Sequence, residues 1–294
     1  MNITIFSRGP GLYSTRRLVE AAEERGHAPV VIDHAYCSPS LDGEASGLLY
    51  HGKPLDRPAT AIPRIGANIT QRGASIIRQL DVMGVPSTIS AAGLVLARDK
   101  MSCLQVLARN GLAIPRTTLC FNAADVRQAG RSFGTFPLVV KILESTHGVG
   151  VALAHTTYQL ERIAEGFFRF QDQVIIQEFI AESDGRDIRA LVVGGRVVAA
   201  MERKASDGEF RANIHRGATA RPLKLRDDEI DLALNAARAV GVEVAGVDLI
   251  PSDRGPLLME VNASPGLEGI ETTTEVDIAG AIVEYAVKKV FALS

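Results

Sequence analysis

The chain has 294 residues, 46% of them apolar and 22% charged, and its 32 basic side chains nearly balance 34 acidic ones. This balance excludes a general nucleic-acid binder, which carries a basic excess. With no tryptophan and 5% aromatic residues there is no stacking platform for single strands, and no run of about 18 uncharged apolar residues marks a membrane span.

Met1 to Phe6 begins like a strand and lacks the basic and apolar regions of a secretory signal. Cys37, Cys103 and Cys120 are odd in number and have no metal-ligand spacing. Reduced thiols in a cytoplasmic protein are therefore expected. Residues 2–7 read as a strand, Leu12 to Arg25 as a helix stopped by Gly26, and Pro29 to Asp33 as a second strand. A hairpin is predicted around His51-Gly52, a strand over Ala59 to Ile65, a helix over Asn68 to Met83 and a short strand over Pro86 to Ile89. This first part reads as a small α/β unit with parallel strands. One helix is expected from Ala91 to Asn110.

The pattern then changes. A strand at Thr117 to Phe121, a helix capped by Asn122, strands at Leu138 to Leu143 and Val151 to Ala154, a helix from Thr156 and a strand at Val174 to Ile180 give the order β-α-β-β-α-β. Ile188 to Val193 and Arg196 to Arg203 are joined by Gly194-Gly195, a two-residue hairpin signal. Lys204 to Ala220 reads as a mobile loop, and Arg226 to Val240 as a helix ended by Gly241. Val244 to Ile250 and Leu257 to Asn262 are strands, and a helix over Ile278 to Ala292 closes the chain.

Three clusters carry the chemistry. Glu260 and Asn262 are two apart on a strand and share a face, with Asp248 on the strand before. Their neighbours Val247, Leu249, Met259 and Val261 are apolar, so the carboxylates need a cation, and oxygen ligands suit Mg²⁺ or Mn²⁺. The alternative is a solvent-facing polar stripe. Lys141, inside an apolar strand, needs an anionic partner. The loop behind it, with Ser145, Gly148 and Gly150, can present N–H groups to phosphate or simply turn a hairpin. The third cluster is Gln177-Glu178-Phe179 with Asp187, Arg189, Arg203, Arg211 and Asn213. Singly these are surface charges; together with a metal set and a phosphate loop they read as a nucleotide site.

Lys100, Lys141, the glycine loop, Glu178 and Asp248/Glu260/Asn262, in this order, resemble the ATP-grasp superfamily. The run Asn262-Ala263-Ser264-Pro265-Gly266-Leu267 resembles its RimK type of carboxylate–amine ligase. So do Pro63-Arg64-Ile65-Gly66, Ala97-Arg98-Asp99-Lys100 and Asn213-Ile214-His215-Arg216-Gly217. The resemblance covers nearly the whole chain. Gly217-Ala218 stands where two glycines are expected, and Ser145 where one is.

The resemblance implies an α/β chain with an ATP-grasp fold, α+β in its nucleotide-binding part. An N-terminal parallel-sheet domain over 1–90 precedes a central subdomain over 91–180 and a C-terminal subdomain over 181–294. It implies that Lys100, Lys141, Ser145, Gly148 and Gly150 contact the phosphates of ATP, that Glu178 and the Phe179 backbone hold adenine, and that Asp187 holds ribose. It places Arg211 and Asn213 at the phosphoryl-transfer site and two Mg²⁺ or Mn²⁺ ions on Asp248, Glu260 and Asn262. Arg203, Arg211 and N–H groups near Ser264-Pro265-Gly266 would stabilise the oxyanion of a tetrahedral intermediate.

The implied reaction phosphorylates a carboxylate, which the amine of L-glutamate then attacks. The implied acceptor is the C-terminus of small-subunit ribosomal protein six, with poly-α-glutamate as a further product and a homotetramer as the assembly. Neither nucleic acid nor membrane is an expected partner. Other readings are a ligase for a different amino acid or a small-molecule acceptor, a nucleotide-binding regulatory module without turnover, and a metal-dependent hydrolase. Arg64, Arg203 and Arg216 fit an acidic amino acid, while Arg64 reads equally as a structural salt-bridge partner.

Overall fold

The computed structural model describes residues 1–43, 46–143, 150–206, 209–210 and 217–292. Strand β1 (Asn2–Phe6) is followed by α1 (Tyr13–Glu24) and β2 (Ala28–Ile32). A small antiparallel sheet follows: β3 (Cys37–Ser40), β4 (Gly47–Tyr50) and β5 (Lys53–Pro54). The turn between β4 and β5 is the expected hairpin, and His51 and Gly52 both have positive φ there (50° and 76°). β6 (Thr60–Pro63) completes a parallel sheet in the order β2-β1-β6. Helix α2 (Thr70–Val82) comes next. Pro86 to Ile89 is not a strand beyond one bridge between Ala61 and Ser87.

The helix expected over Ala91 to Asn110 is two, α3 (Ala91–Arg98) and α4 (Lys100–Arg109). Asp99 breaks the run because it leaves the helical conformation (ψ 101°) and its carboxylate caps α4 through the Ser102 N–H. Ser90 caps α3 through the Gly93 N–H.

The middle of the chain follows the expected order: β7 (Thr117–Cys120), α5 (Ala123–Phe133), β8 (Leu138–Ile142), β9 (Val151–Ala154), α6 (Thr157–Phe168) and β10 (Val174–Glu178). Asn122 caps α5 through the N–H groups of Ala124 and Asp125. The four strands form an antiparallel sheet ordered β7-β10-β8-β9. Leu138, Val140, Val174 and Ile176 pack with Val126, Ala129, Leu160 and Ala164 of α5 and α6. By strand alternation Lys141, Ile175 and Gln177 occupy the opposite face, which these helices leave uncovered.

A five-stranded antiparallel sheet carries the rest. Its strands are β11 (Arg186–Val193), β12 (Arg196–Lys204), β13 (Thr219–Pro222), β14 (Val244–Ile250) and β15 (Leu257–Asn262), ordered β13-β12-β11-β14-β15. β13 begins in the last two residues of the stretch expected to be a loop and runs past it; Lys204 itself ends β12, and residues 207–208 and 211–216 fall outside the described residues. Gly194 and Gly195 turn β11 into β12 with φ of 57° and 78°. Helix α7 (Asp227–Val240) and helices α8 (Glu268–Thr274) and α9 (Ile278–Ala292) complete the chain. α8 is not foreseen from periodicity.

Both faces of this sheet are covered, which explains the near-continuous apolar runs in β11 and β14. Ile188, Ala190, Val192, Ala245, Val247 and Leu249 pack under α3, α4 and α7. Leu191, Val193, Ala199, Met201 and Val244 pack on the other face with α1, α8 and α9. Among the described residues no helix is long and apolar enough to cross a membrane.

α3 meets α7 closely. A Cβ on Gly93 would sit 2.3 Å from the Gly241 carbonyl oxygen, which is backbone and cannot swing away. Gly93→Ala is expected to destabilise the protein by about 1–3 kcal/mol through overpacking, read as a lower calorimetric Tm.

Candidate functional site

The second face of the five-stranded sheet changes character toward one end. Arg203 is registered opposite Asp187, Arg189 opposite Asp248, and Asp248 opposite Glu260; Asn262 lies two residues beyond Glu260. Strand alternation therefore aligns Arg203, Asp187, Arg189, Asp248, Glu260 and Asn262 along the face whose other half is Leu191, Val193, Ala199 and Met201. The register shifts between Asp248 and Leu249, so Met259 is an extra residue on β15. Such bulges re-aim side chains at functional sites.

The row is tied together by ion pairs. Arg203 grips Asp187 with two hydrogen bonds, Nε to Oδ1 at 2.6 Å and Nη2 to Oδ2 at 2.7 Å, and its Nη2 also lies 3.1 Å from Asp248 Oδ2. Arg189 holds Asp248 in the same two-pronged way, Nη2 to Oδ2 at 2.6 Å and Nε to Oδ1. Burial opposes ionisation of Asp248, yet Arg189 and Arg203 outweigh it and hold the carboxyl below the usual range. Burial pushes the Asp187 carboxyl up to about 6, against the attraction of Arg203 and helped by the Asp248 charge. At Arg203 burial also favours the neutral form, but the two carboxylates overcome it and raise the guanidinium above its ordinary value.

Glu260 Oε1 accepts from Asn262 Nδ2 at 2.8 Å. That leaves the second Glu260 oxygen and the Asn262 carbonyl oxygen without a hydrogen bond among the described residues. Asp248 keeps one of its roughly four acceptor directions. An all-oxygen set of this kind fits a hard divalent cation. Among the described residues no group of three His, Cys, Asp or Glu side chains could hold a metal, so the amide of Asn262 is needed to complete the set.

Two lysines lie nearby, Lys141 within the field of Glu260 and Lys100 close enough to act on Lys141. Lys141 Nζ donates to Gln177 Oε1 at 2.7 Å, and Gln177 Nε2 donates to Thr117 Oγ1 at 2.8 Å, a chain spanning β8, β10 and β7. Burial pushes the Lys141 ammonium down to about 8; Glu260 pulls it up and Lys100 pushes it down. Lys141 thus senses both Glu260 and Lys100. Lys100 Nζ donates to the Leu143 carbonyl at 2.6 Å, which places it at the mouth of the β8–β9 connection. Gly150 closes that connection, its carbonyl accepting from Ile142 N–H at 3.0 Å. Its φ is 70°, and a Cβ there would lie 2.2 Å from Ile142 Cδ1, so glycine is required.

Glu178, at the end of β10, accepts from the Arg116 N–H at 2.7 Å and from Arg254 Nη2 at 2.6 Å. Phe179 meets Phe210 edge to face, with ring centroids 6.3 Å apart. Ser145, Gly148, Arg211 and Asn213 lie outside the described residues.

The structure thus brings Asp187, Arg203, Asp248, Glu260 and Asn262 into one row and sets Lys141 within its field. Glu178 and Phe179 belong to a separate contact with Arg116, Arg254 and Phe210. Residue pattern alone groups Arg189 and Gln177 with the nucleotide cluster without giving either a partner, and gives Thr117 and Arg254 no part in the site. The alternation of Arg189 with buried residues further marks it as facing one side of β11; Arg254, in an exposed turn, carries no such signal.

Comparison with known proteins places this geometry. Residues 1–94 match the RimK PreATP-grasp domain and residues 97–286 the RimK-like ATP-grasp domain. A protein of Cellvibrio japonicus named probable alpha-L-glutamate ligase is 47% identical over 285 residues, covering 97% of this chain and 95% of that one. One of the same name from Trichodesmium erythraeum is 44% identical over 288 residues, covering 98% and 96%. Among solved structures, the ATP-grasp ligase PsnB complexed with a phosphomimetic variant of minimal precursor, Mg and ADP superimposes with a TM-score of 0.75 at 20% identity, covering 98% of each chain. The two domain matches account for nearly every residue of the sheets and helices that build the row, and the chain belongs to the RimK-like ATP-grasp family.

Proposed function

We propose that this ATP-grasp ligase joins the amine of L-glutamate to a C-terminal carboxylate of a protein or peptide, with small-subunit ribosomal protein six as the acceptor. The observation that carries the reading is the half-buried row Arg203–Asp187–Arg189–Asp248–Glu260–Asn262, one end of which, Glu260, acts on Lys141. The glutamate ligase names of relatives covered nearly end to end support the choice of amino acid.

A carboxylate is a poor electrophile at neutral pH, so the γ-phosphoryl group of ATP is moved to it first, giving an acyl phosphate. The glutamate amine attacks that carbon and phosphate leaves. Lys100 and Lys141 bind the phosphates, together with the loop carrying Ser145, Gly148 and Gly150. Glu178 and the Phe179 backbone hold adenine. Asp187 contacts ribose while orienting Arg203. Arg203, with Arg211 and Asn213, offsets charge on the transferring group and on the tetrahedral intermediate. Asp248, Glu260 and Asn262 would hold two Mg²⁺ or Mn²⁺ ions, and the chemistry these would supply is to offset the negative charge that develops on the transferring group. The domain division is 1–90, 91–180 and 181–294, the protein works in the cytoplasm, and a homotetramer is the proposed assembly.

The test is mass spectrometry of the acceptor incubated with enzyme, ATP, Mg²⁺ and glutamate. Mass steps of one glutamyl residue, each matched by one phosphate released, are expected. Equal incorporation of other amino acids, or phosphate release that ignores both glutamate and acceptor, would overturn the reading.

A further inference from the structure

Four of the described arginines that are buried or half-buried are held by carboxylates. Arg17 meets Glu271, Arg25 meets Asp277, Arg189 meets Asp248 and Arg203 meets Asp187. Arg64 and Arg98 differ: among the described residues neither has an acidic side chain within ion-pairing distance. Arg64 directly follows β6, and its Nη2 donates to the Pro265 carbonyl. Arg98 ends α3, and its Nη2 donates to the Ile65 carbonyl at 2.7 Å. A guanidinium has five N–H donors in a fixed fork, so most of the donors of this pair are unspent. Arg98 Nε is sealed from solvent with no hydrogen-bond partner, and so is the Ser264 hydroxyl, next in chain to Pro265.

Arg98 also acts on Arg64. Burial pushes Arg64 down to about 10, and the charge of Arg98 adds to the push. Burial lowers Arg98 as well, with Glu260 pulling against it. Desolvating two like charges side by side is unfavourable unless an anion joins them. Glu260 belongs to the candidate metal row, and Pro265 follows Asn262 by three residues, so the pair lies where the N-terminal unit meets the reacting centre. Carboxylate and phosphate both match guanidinium forks; with the phosphates of ATP assigned to Lys100 and Lys141, a carboxylate is the anion left for this pair.

We propose that Arg64 and Arg98 form a carboxylate subsite that takes a non-reacting carboxylate of an acidic substrate. This rests on the ligase reading above and assigns a specificity role to two residues outside the nucleotide site. In that reading two substrates bring such a group: the incoming glutamate, through its side chain or α-carboxylate, and an acidic residue of the acceptor. The carbonyl bonds to Pro265 and Ile65 fix the forks, and the unspent N–H groups receive the substrate oxygens.

The full-length enzyme and its Arg64→Gln, Arg98→Gln and Arg98→Lys variants are compared in steady-state kinetics with glutamate, glutamine, acceptor and ATP varied separately. Arg98→Gln is expected to raise the KM of one acidic substrate by about 10–100-fold, with the KM for ATP within twofold. Arg98→Lys restores part of the loss. If the KM of glutamate moves and the preference for glutamate over glutamine collapses, the carboxylate is that of the donor; if only the acceptor's KM moves, it is the acceptor's. Unchanged KM values for both, with a lowered Tm alone, would overturn the subsite and leave a structural role. Binding of glutarate by calorimetry separates the two levels of inference. Glutarate bound by the wild type and lost in both Gln variants upholds the subsite even if the enzyme ligates no glutamate. No glutarate binding together with unchanged KM values sinks it.

Discussion

Asp248→Asn is expected to lower kcat by on the order of 10²–10³-fold and to destabilise the protein by about 3 kcal/mol. The two effects have separate causes. Asn keeps the shape of the side chain but removes the charge that Arg189 and Arg203 both grip. Asp187 still neutralises Arg203, but Arg189 is left largely buried without an anion. Breaking a buried pair in this way is costly because the surviving charge is desolvated and unpaired. The catalytic loss comes from the weaker hold on the metal and from release of the guanidiniums that offset charge on the transferring group. Urea unfolding reads the first effect and single-turnover phosphate release the second. Excess Mg²⁺ is expected to recover part of the rate and none of the stability. Asn262→Ala is the control: its amide touches only Glu260 in the row, so rate falls while stability changes little. An Asp248→Asn variant within a few-fold of wild-type rate would remove Asp248 from the metal set.

Part of the row is legible in the sequence, because alternation along a single strand is local. Glu260 and Asn262 share a face by counting, and the apolar residues that alternate with them show that the opposite face of the strand is buried. What counting cannot reach is the register of three neighbouring strands, which sets Arg189 opposite Asp248 and Arg203 opposite Asp187. The same limit hides the isolation of Arg64: whether a guanidinium has a carboxylate partner depends on residues hundreds of positions away.

Among the elements, β14, β15 and α9 fall where apolar patterning puts them, because burial and strand period agree there. The break at Asp99 does not show, since apolar periodicity runs through it and only the capping geometry ends one helix and starts the next. α8 runs against propensity, with three threonines in its last turn. Thr273 and Thr274 settle there by donating back to the Gly269 and Ile270 carbonyls. β13 is a short edge strand ending in proline, without alternation to mark it.

Lys141 is expected to give the enzyme an alkaline limb. Its ammonium sits in an apolar strand, and burial pushes it down to about 8 from an ordinary 10.5, more than Glu260 can restore. Below about 8 the group is charged and can bind phosphate; above it the free enzyme carries a neutral amine. The quantity kcat/KM for ATP reports ionisations of the free enzyme, so it should fall as pH rises through about 8. Bound nucleotide, being anionic, favours the charged form, so the limb in kcat should lie at higher pH. Lys141→Met is expected to lower kcat/KM on the order of 10²-fold and to abolish the limb. Lys141→Arg keeps its charge far above pH 8 and should move the limb upward at reduced rate. Stability gives an independent check with a definite sign. Between about 8 and 10.5 the unfolded chain holds the Lys141 proton while the folded one has released it, so folding gains stability as pH rises across that window. The methionine variant lacks this contribution. Its stability relative to wild type should therefore be highest at neutral pH and decline steadily toward pH 10.5, measured by urea unfolding of the nucleotide-free proteins. A difference independent of pH would place the Lys141 ammonium at its ordinary value, and the alkaline limb would then belong to another group.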